Sequence, residues 1–221
     1  MKNNVQRRRL LKWIAAAGAA GATGLMRDVL AAGDLPPGLH RLDGTATVNG
    51  RPAKSGDKVA LGDRVATGPR SQAVIVLKGD AMLMRADTVI EIKGRDGLLT
   101  EMVIATGKVL SVFSKKPVAI KAVTASIGIR GTGAYIEVDR AEVYFCLCYG
   151  EATIDGPQMQ TRTVITTHHE QPLLMTERNG ILGAAPGPFR NHSDDELIML
   201  EALMGREPPF MKSAQYPANK Y

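Results

Sequence analysis

Long apolar runs are missing from this 221-residue chain. The longest, from Trp13 to Met26, covers about 14 residues and is diluted by Gly and Ala, short of the roughly 20 a membrane-spanning helix needs. Positive charge is also missing from most of the sequence, despite a net charge of +6. Lys2, Arg7, Arg8, Arg9, Lys12 and Arg27 stand against Asp28 alone, so five of the six net charges precede Ala32. The remainder is close to neutral, which excludes a nucleic-acid surface, because phosphate binding needs cations clustered on one face. Aromatics are scarce at 5%, whereas Gly and Pro are plentiful, a balance that suits many short strands joined by turns. A hydrophobic fraction of 44% is that of a globular chain.

What is present at the amino terminus reads as an address. A basic segment, the apolar run and Val29-Leu30-Ala31-Ala32 make an export signal over residues 1–31, to be set aside from the fold. Arg7-Arg8-Arg9-Leu10-Leu11-Lys12 resembles the twin-arginine signature, with Arg7 and Arg8 as its pair. An ordinary secretory signal and an uncleaved anchor are the alternatives. The twin-arginine route carries proteins already folded, often with a cofactor in place, and delivers them to the periplasm, where disulfides persist.

Residues 32–41 form a Pro-rich linker. From residue 42 to 182 short apolar runs alternate with turns, the pattern of an all-β domain. The tail, residues 183–221, changes character. Ser193-Asp194-Asp195-Glu196 is a capping box, and Leu197, Ile198, Leu200, Leu203 and Met204 share one apolar side, predicting a helix over 194–204 that docks on the β-domain or a partner. Pro208-Pro209-Phe210 and the remaining residues read as extended.

Two motifs carry a family likeness. The first is Arg51 to Gly79, with Gly56-Asp57 and Gly62-Asp63, then Thr67-Gly68 and Ser71 before a strand. The second is Val123 to Val138, containing Ile129-Arg130-Gly131-Thr132, and a strand–Gly150–strand segment closes the region. On these residues Arg51 to Gly156 resembles the FecR domain family. The resemblance implies a β-module, a sandwich or a solenoid-like stack of short strands, serving as a periplasmic binding or signalling domain. In the system that names the family, such a domain passes a signal from an outer-membrane receptor to a cytoplasmic sigma factor through a membrane helix. About 12 residues precede the apolar run here, too few for a domain that grips a sigma factor, so a membrane-anchored regulator is the weaker expectation. The expected partner is a periplasmic or envelope protein, with no membrane span once the signal is removed. Arg130, between two glycines, reads as an arginine capping backbone carbonyls rather than as an anion ligand.

The only cysteines, Cys146 and Cys148, sit one residue apart in Glu142 to Glu151. Strand alternation places Val143, Phe145, Leu147 and Tyr149 on a core face and Glu142, Tyr144, Cys146 and Cys148 on the other. Same-face neighbours in a strand lie about 6.5–7 Å apart, too far for a disulfide, which wants Cβ atoms near 3.8 Å. Two thiolates can instead lean toward one ion. A hairpin turning near Gly156-Pro157 would return His168 and His169 beside them, one of the two on the cysteine face, and His192 is a further candidate. Such a set suits Zn(II) or Cu(I). Metal ligation, structural packing and an intermolecular or strained disulfide all remain open, and a metal-binding or redox protein using Cys146, Cys148 and a histidine is the alternative reading of function. No nucleophile with an oxyanion hole and an orienting acid stands out, and the methionines fall in strands and in the tail helix rather than in a copper box, so no enzyme is expected.

Overall fold

The computed structural model describes residues 35–140, 142–213 and 216. The export signal, with Arg7 and Arg8, lies outside the described residues. The alternating runs become strands β1 (Gly38–Asp43), β2 (Ala46–Val48), β3 (Arg51–Ala53), β4 (Arg64–Thr67), β5 (Gln72–Leu77), β6 (Asp80–Met84), β7 (Val89–Arg95) and β8 (Leu98–Val112). They continue as β9 (Pro117–Ala122), β10 (Ala125–Arg130), β11 (Gly133–Asp139), β12 (Glu142–Asp155), β13 (Arg162–Thr166), β14 (Leu173–Arg178) and β15 (Ile181–Pro186). One helix, α1 (Asp194–Leu203), comes after them. The protein is all-β with a short carboxyl-terminal helix.

Two long strands organise it, because each serves two sheets. The second half of β8 and the first half of β12 flank β11 in an upper sheet that also holds β1, β5, β6, β14 and β15. The first half of β8 and the second half of β12 join a lower sheet with β2, β3, β4, β7, β9, β10 and β13. The path β8–β9–β10–β12–β11 returns to β8, so the sheets close into a barrel with outer strands on each side. Of the two architectures the sequence allowed, this is the sandwich type, joined at its corners by strands that change sheet.

Both corners are glycines. β8 turns at Gly107 (φ +93°) and β12 at Gly150 (φ +101°). A Cβ on Gly107 would stand 2.4 Å from Thr88 Cα, and one on Gly150 2.7 Å from Thr132 Cγ2. Neither the dihedral nor the space admits a side chain.

The Gly-Asp pairs build the turns expected of them. Asp57 Oδ2 accepts from the Lys54 N–H at 2.9 Å, and Asp63 Oδ2 from the Ala60 N–H at 2.7 Å. At the β5–β6 turn, Asp80 is wholly buried, accepts from the Ser114 N–H at 2.9 Å and pairs with Lys116 at 2.5 Å. The Arg130 Nε–H donates to the Lys115 carbonyl at 3.2 Å.

The main core lies between the sheets and includes Ile75, Met82, Ile90, Ile104, Ile120, Ile127, Ile136 and Phe145. A second apolar layer covers the other side of the upper sheet. There Val74, Val76, Leu83, Leu110, Val112, Tyr135 and Tyr144 pack under Leu197, Leu200 and Leu203 of α1 and under Phe210. Ser193 caps α1, accepting from the Glu196 N–H at 3.4 Å, while Glu196 accepts from the Ser193 N–H at 3.1 Å. Residues Pro209–Lys212 form a 3-10 turn rather than the extended segment read from the sequence, because Pro208 and Pro209 set φ for a tight turn that seats Phe210. Among the described residues no helix is long and apolar enough to cross a membrane.

Candidate metal centre

Strand β12 carries Cys146 and Cys148 into the layer between the upper sheet and the carboxyl-terminal segment, where both are fully buried. The face opposite the inter-sheet core is therefore a second interior, closed by the carboxyl-terminal segment. Alternation holds for Val143, Phe145 and Leu147, which point into the main core, but fails at Tyr149. Opposite β11, Gly133 pairs with Tyr149 and Ala134 with Leu147, so Cys148 is the extra residue of a β-bulge. The bulge turns Tyr149 onto the cysteine side, where its hydroxyl donates to Glu201 of α1. It also frees Cys148 from strict strand spacing.

The β12–β13 hairpin returns the chain with Gly150 opposite Thr166. The loop after β13 is pinned by Glu170, whose carboxylate accepts from the Thr167 N–H at 2.7 Å, the His168 N–H at 3.2 Å and the hydroxyls of Thr166 and Thr167. Partial burial opposes that charge, yet these donors hold the Glu170 carboxyl down to about 2. His169 takes a left-handed conformation (φ +58°), its N–H donates to the Cys148 carbonyl at 3.1 Å, and its ring enters the layer. From the other direction, the segment between β15 and α1 brings in His192, buried and stacked on Tyr135 at 4.4 Å.

One ligand atom from each of Cys146, Cys148, His169 and His192 lies within 4.8 Å of every other. Cys146 Sγ is 3.4 Å from His169 Nδ1, which is 3.2 Å from His192 Nε2. Ideal tetrahedral zinc with the usual Zn–S and Zn–N lengths sets edges of about 3.6 Å for S···N and about 3.3 Å for N···N. Both observed edges fall close to these. The outer nitrogens make the arrangement specific. His169 Nε2 is 3.2 Å from Asp194 Oδ1, and His192 Nδ1 is 2.7 Å from the Arg190 carbonyl. Oxygen acceptors there keep protons on the outer nitrogens and leave Nδ1 of His169 and Nε2 of His192 as lone pairs pointed at one another. Two lone pairs at that distance repel unless a cation, a proton or a metal ion, lies among the donors.

The thiols carry the same asymmetry. The Cys146 thiol is drawn well down, first by the neighbouring Cys148 thiol and then, against the opposition of burial, by His169 and His192. Cys148 is pushed well up, by burial and then by the adjacent Cys146 sulfur. Burial lowers the basicity of His169, but Asp194 and Cys146 outweigh it and the net direction is upward. Two sulfurs pushed in opposite directions thus share a dry pocket with two imidazoles. A divalent ion would take the place of the Cys148 proton and neutralise both sulfurs.

His168 stands apart from the sulfurs. Its ring stacks on Phe210 at 4.4 Å and its Nε2 is 2.9 Å from Asp194 Oδ1, so it supports the carboxylate that orients His169. In the sequence Asp194 reads only as a helix-dipole partner; being fully buried, it is the orienting acid that the sequence did not reveal. Its position at the start of a capped helix was the available signal. Cys146, His169 and Asp194 also line up as a nucleophile, base and acid would. The sulfur, however, has no solvent exposure. The surface cleft nearby, of about 810 Å³, is lined by Tyr144, Arg190, Asn191, Arg85 and Glu137 rather than by either cysteine.

No family model matches the chain, and no curated protein matches it either. Two crystal structures of a proposed anti-sigma factor from Parabacteroides distasonis ATCC 8503, at 1.65 and 2.50 Å resolution, align with TM-scores of 0.47 and 0.46 and identities of 10% and 11%. Each alignment covers 56% of this chain and 59% of that one, so the chain spans about three-fifths of that protein's length. At this distance the likeness lends no argument about role.

Proposed function

We propose that this protein is an exported, non-enzymatic β-module that holds one Zn(II) ion through Cys146, Cys148, His169 and His192 and acts as a binding or signalling domain of the periplasm. The observation that carries the metal reading is the pair of inward imidazole nitrogens 3.2 Å apart, each with its other nitrogen on an oxygen acceptor, beside two buried sulfurs. Two thiolates and two imidazoles, all within 4.8 Å of one another, are a donor set for zinc, and Cu(I) accepts the same atoms. Four protein ligands with no open position make a structural or regulatory site rather than a catalytic one. The burial of Cys146 supports the same side, since a nucleophile must meet its substrate. The exported, partner-binding role rests on the amino-terminal signal and on the FecR-like motifs, which lie in the turns and corners of the β-domain.

Metal content of the purified full-length chain tests the zinc reading. One zinc per chain is expected, falling to near zero in the Cys146→Ser/Cys148→Ser variant; a metal-free wild type after growth in zinc-supplemented medium would sink it, and one copper in place of zinc would reassign the ion. Export is tested by fractionating cells: the chain should appear in the periplasm and remain in the cytoplasm when Arg7 and Arg8 are both changed to Lys.

A further inference from the structure

We infer that the metal ion is a latch for the carboxyl-terminal arm, residues 189–212: when occupied it fastens the arm to the upper sheet, and when emptied it lets the arm come away. The inference rests on the zinc reading above and adds the regulation of that site.

The ligands divide unevenly between rigid and loosely held structure. Cys146 and Cys148 lie on β12, Cys146 paired with Tyr135 of β11 and Cys148 in the bulge that follows it. His169 lies in the loop pinned by Glu170. His192 belongs to the arm, in the segment that leaves the last strand and precedes α1. Asp194, the first residue of α1, orients His169 from outside the donor set. The arm therefore enters the centre twice, once as a ligand and once as the orienting acid.

Other contacts hold the arm as well. Leu197, Leu200, Leu203 and Phe210 are buried. Arg85 reaches the Asn191 carbonyl and the Glu196 carboxylate at 2.8 Å, Arg190 meets Glu137 at 2.9 Å, Asn191 donates to Glu137 at 2.6 Å, Arg206 donates to the Gly79 carbonyl at 2.9 Å, and the Tyr149 hydroxyl donates to Glu201. The arginines of the two ion pairs are partly exposed, so solvent weakens those pairs. A helix of three turns is marginal alone, and ordering the whole arm opposes its docking. A ligand held by an ion tips that balance. Removing the ion tips it back, because the arm then loses the bond from His192 to the metal and keeps at most a hydrogen bond between the inward nitrogens of His192 and His169 across 3.2 Å. His192 is the more easily displaced of the two.

Hydrogen exchange of the full-length protein, with Zn(II) bound and after chelation, tests this. Amides of α1 (194–203) should exchange at least about tenfold faster after chelation, while those of β5 and β6 stay unchanged. His192→Ala should show fast exchange in α1 even with zinc present, held by the remaining three ligands. Slow α1 exchange that chelation leaves unaltered in a protein carrying one zinc would overturn the latch and leave the zinc reading intact. Equal acceleration in β5, β6 and α1 would also overturn it, making the ion a support for the whole domain. A chain that takes up no zinc at saturating Zn(II) would end both.

Discussion

Asp194 Oδ1 lies 3.2 Å from Nε2 of His169, so the first residue of the helix selects the tautomer of a ring that belongs to a loop of the sheet. The same oxygen is 2.9 Å from His168 Nε2. Asp194→Asn keeps the shape but replaces an ionised acceptor with an amide. Zinc affinity should fall about 10–100-fold, the usual range for loss of an outer partner of a ligating histidine. Competition against a chelator of known affinity measures it; unchanged affinity would mean that His169 is not oriented from this side.

Gly150→Ala tests the corner of β12. The φ of +101° is closed to L side chains, and the new methyl would sit 2.7 Å from Thr132 Cγ2. Strain and overlap together should cost about 2–4 kcal/mol, read as a lower urea midpoint with little change in slope. Gly107→Ala, against the backbone of Thr88, should do at least as much.

Leu200→Ala empties a fully buried position between α1 and the upper sheet. The expected loss is about 2–3 kcal/mol, at the lower end for a buried leucine because the arm can settle into the space. The chelated protein should lose less than the zinc-bound one, since its arm already stands away from the sheet and Leu200 is no longer buried there. Thermal denaturation with and without chelator gives the comparison.

Lys116→Met leaves Asp80 buried without its cation. The lysine is 2.5 Å away with its side chain 17% exposed, and the carboxylate is wholly enclosed. Breaking such a pair from one side should destabilise by about 3 kcal/mol, and the double change Asp80→Asn/Lys116→Met should recover part of it. Equilibrium unfolding of these two variants and of Asp80→Asn alone closes the cycle.

Much of this architecture was legible in the residues. Gly-Asp turns, the β5–β6 turn and the capped helix are local devices, and local chemistry announces itself: Ser193 and Glu196 stand three apart in the sequence and meet across the same three positions in the structure. The hairpin that returns His169 to the cysteines was legible for the same reason. What escaped was non-local. Nothing in Glu142 to Glu151 says that a second layer will close over Cys146, because the cover comes from Leu197 to Phe210. The bulge at Cys148 depends on how β11 pairs with β12, so simple alternation misplaced Tyr149. Asp194 looks like one of three acids complementing a helix dipole until the fold puts His168 and His169 beside it.

The sharing of β8 and β12 between the two sheets governs how this molecule comes apart. Neither sheet can be peeled from the other without breaking the backbone hydrogen bonds of a strand that both require, so the barrel should melt as a single cooperative unit. Cutting the polypeptide at either glycine corner would divide a strand from itself. Fragments ending there would be expected to stay unfolded when separate, and to regain structure only when mixed.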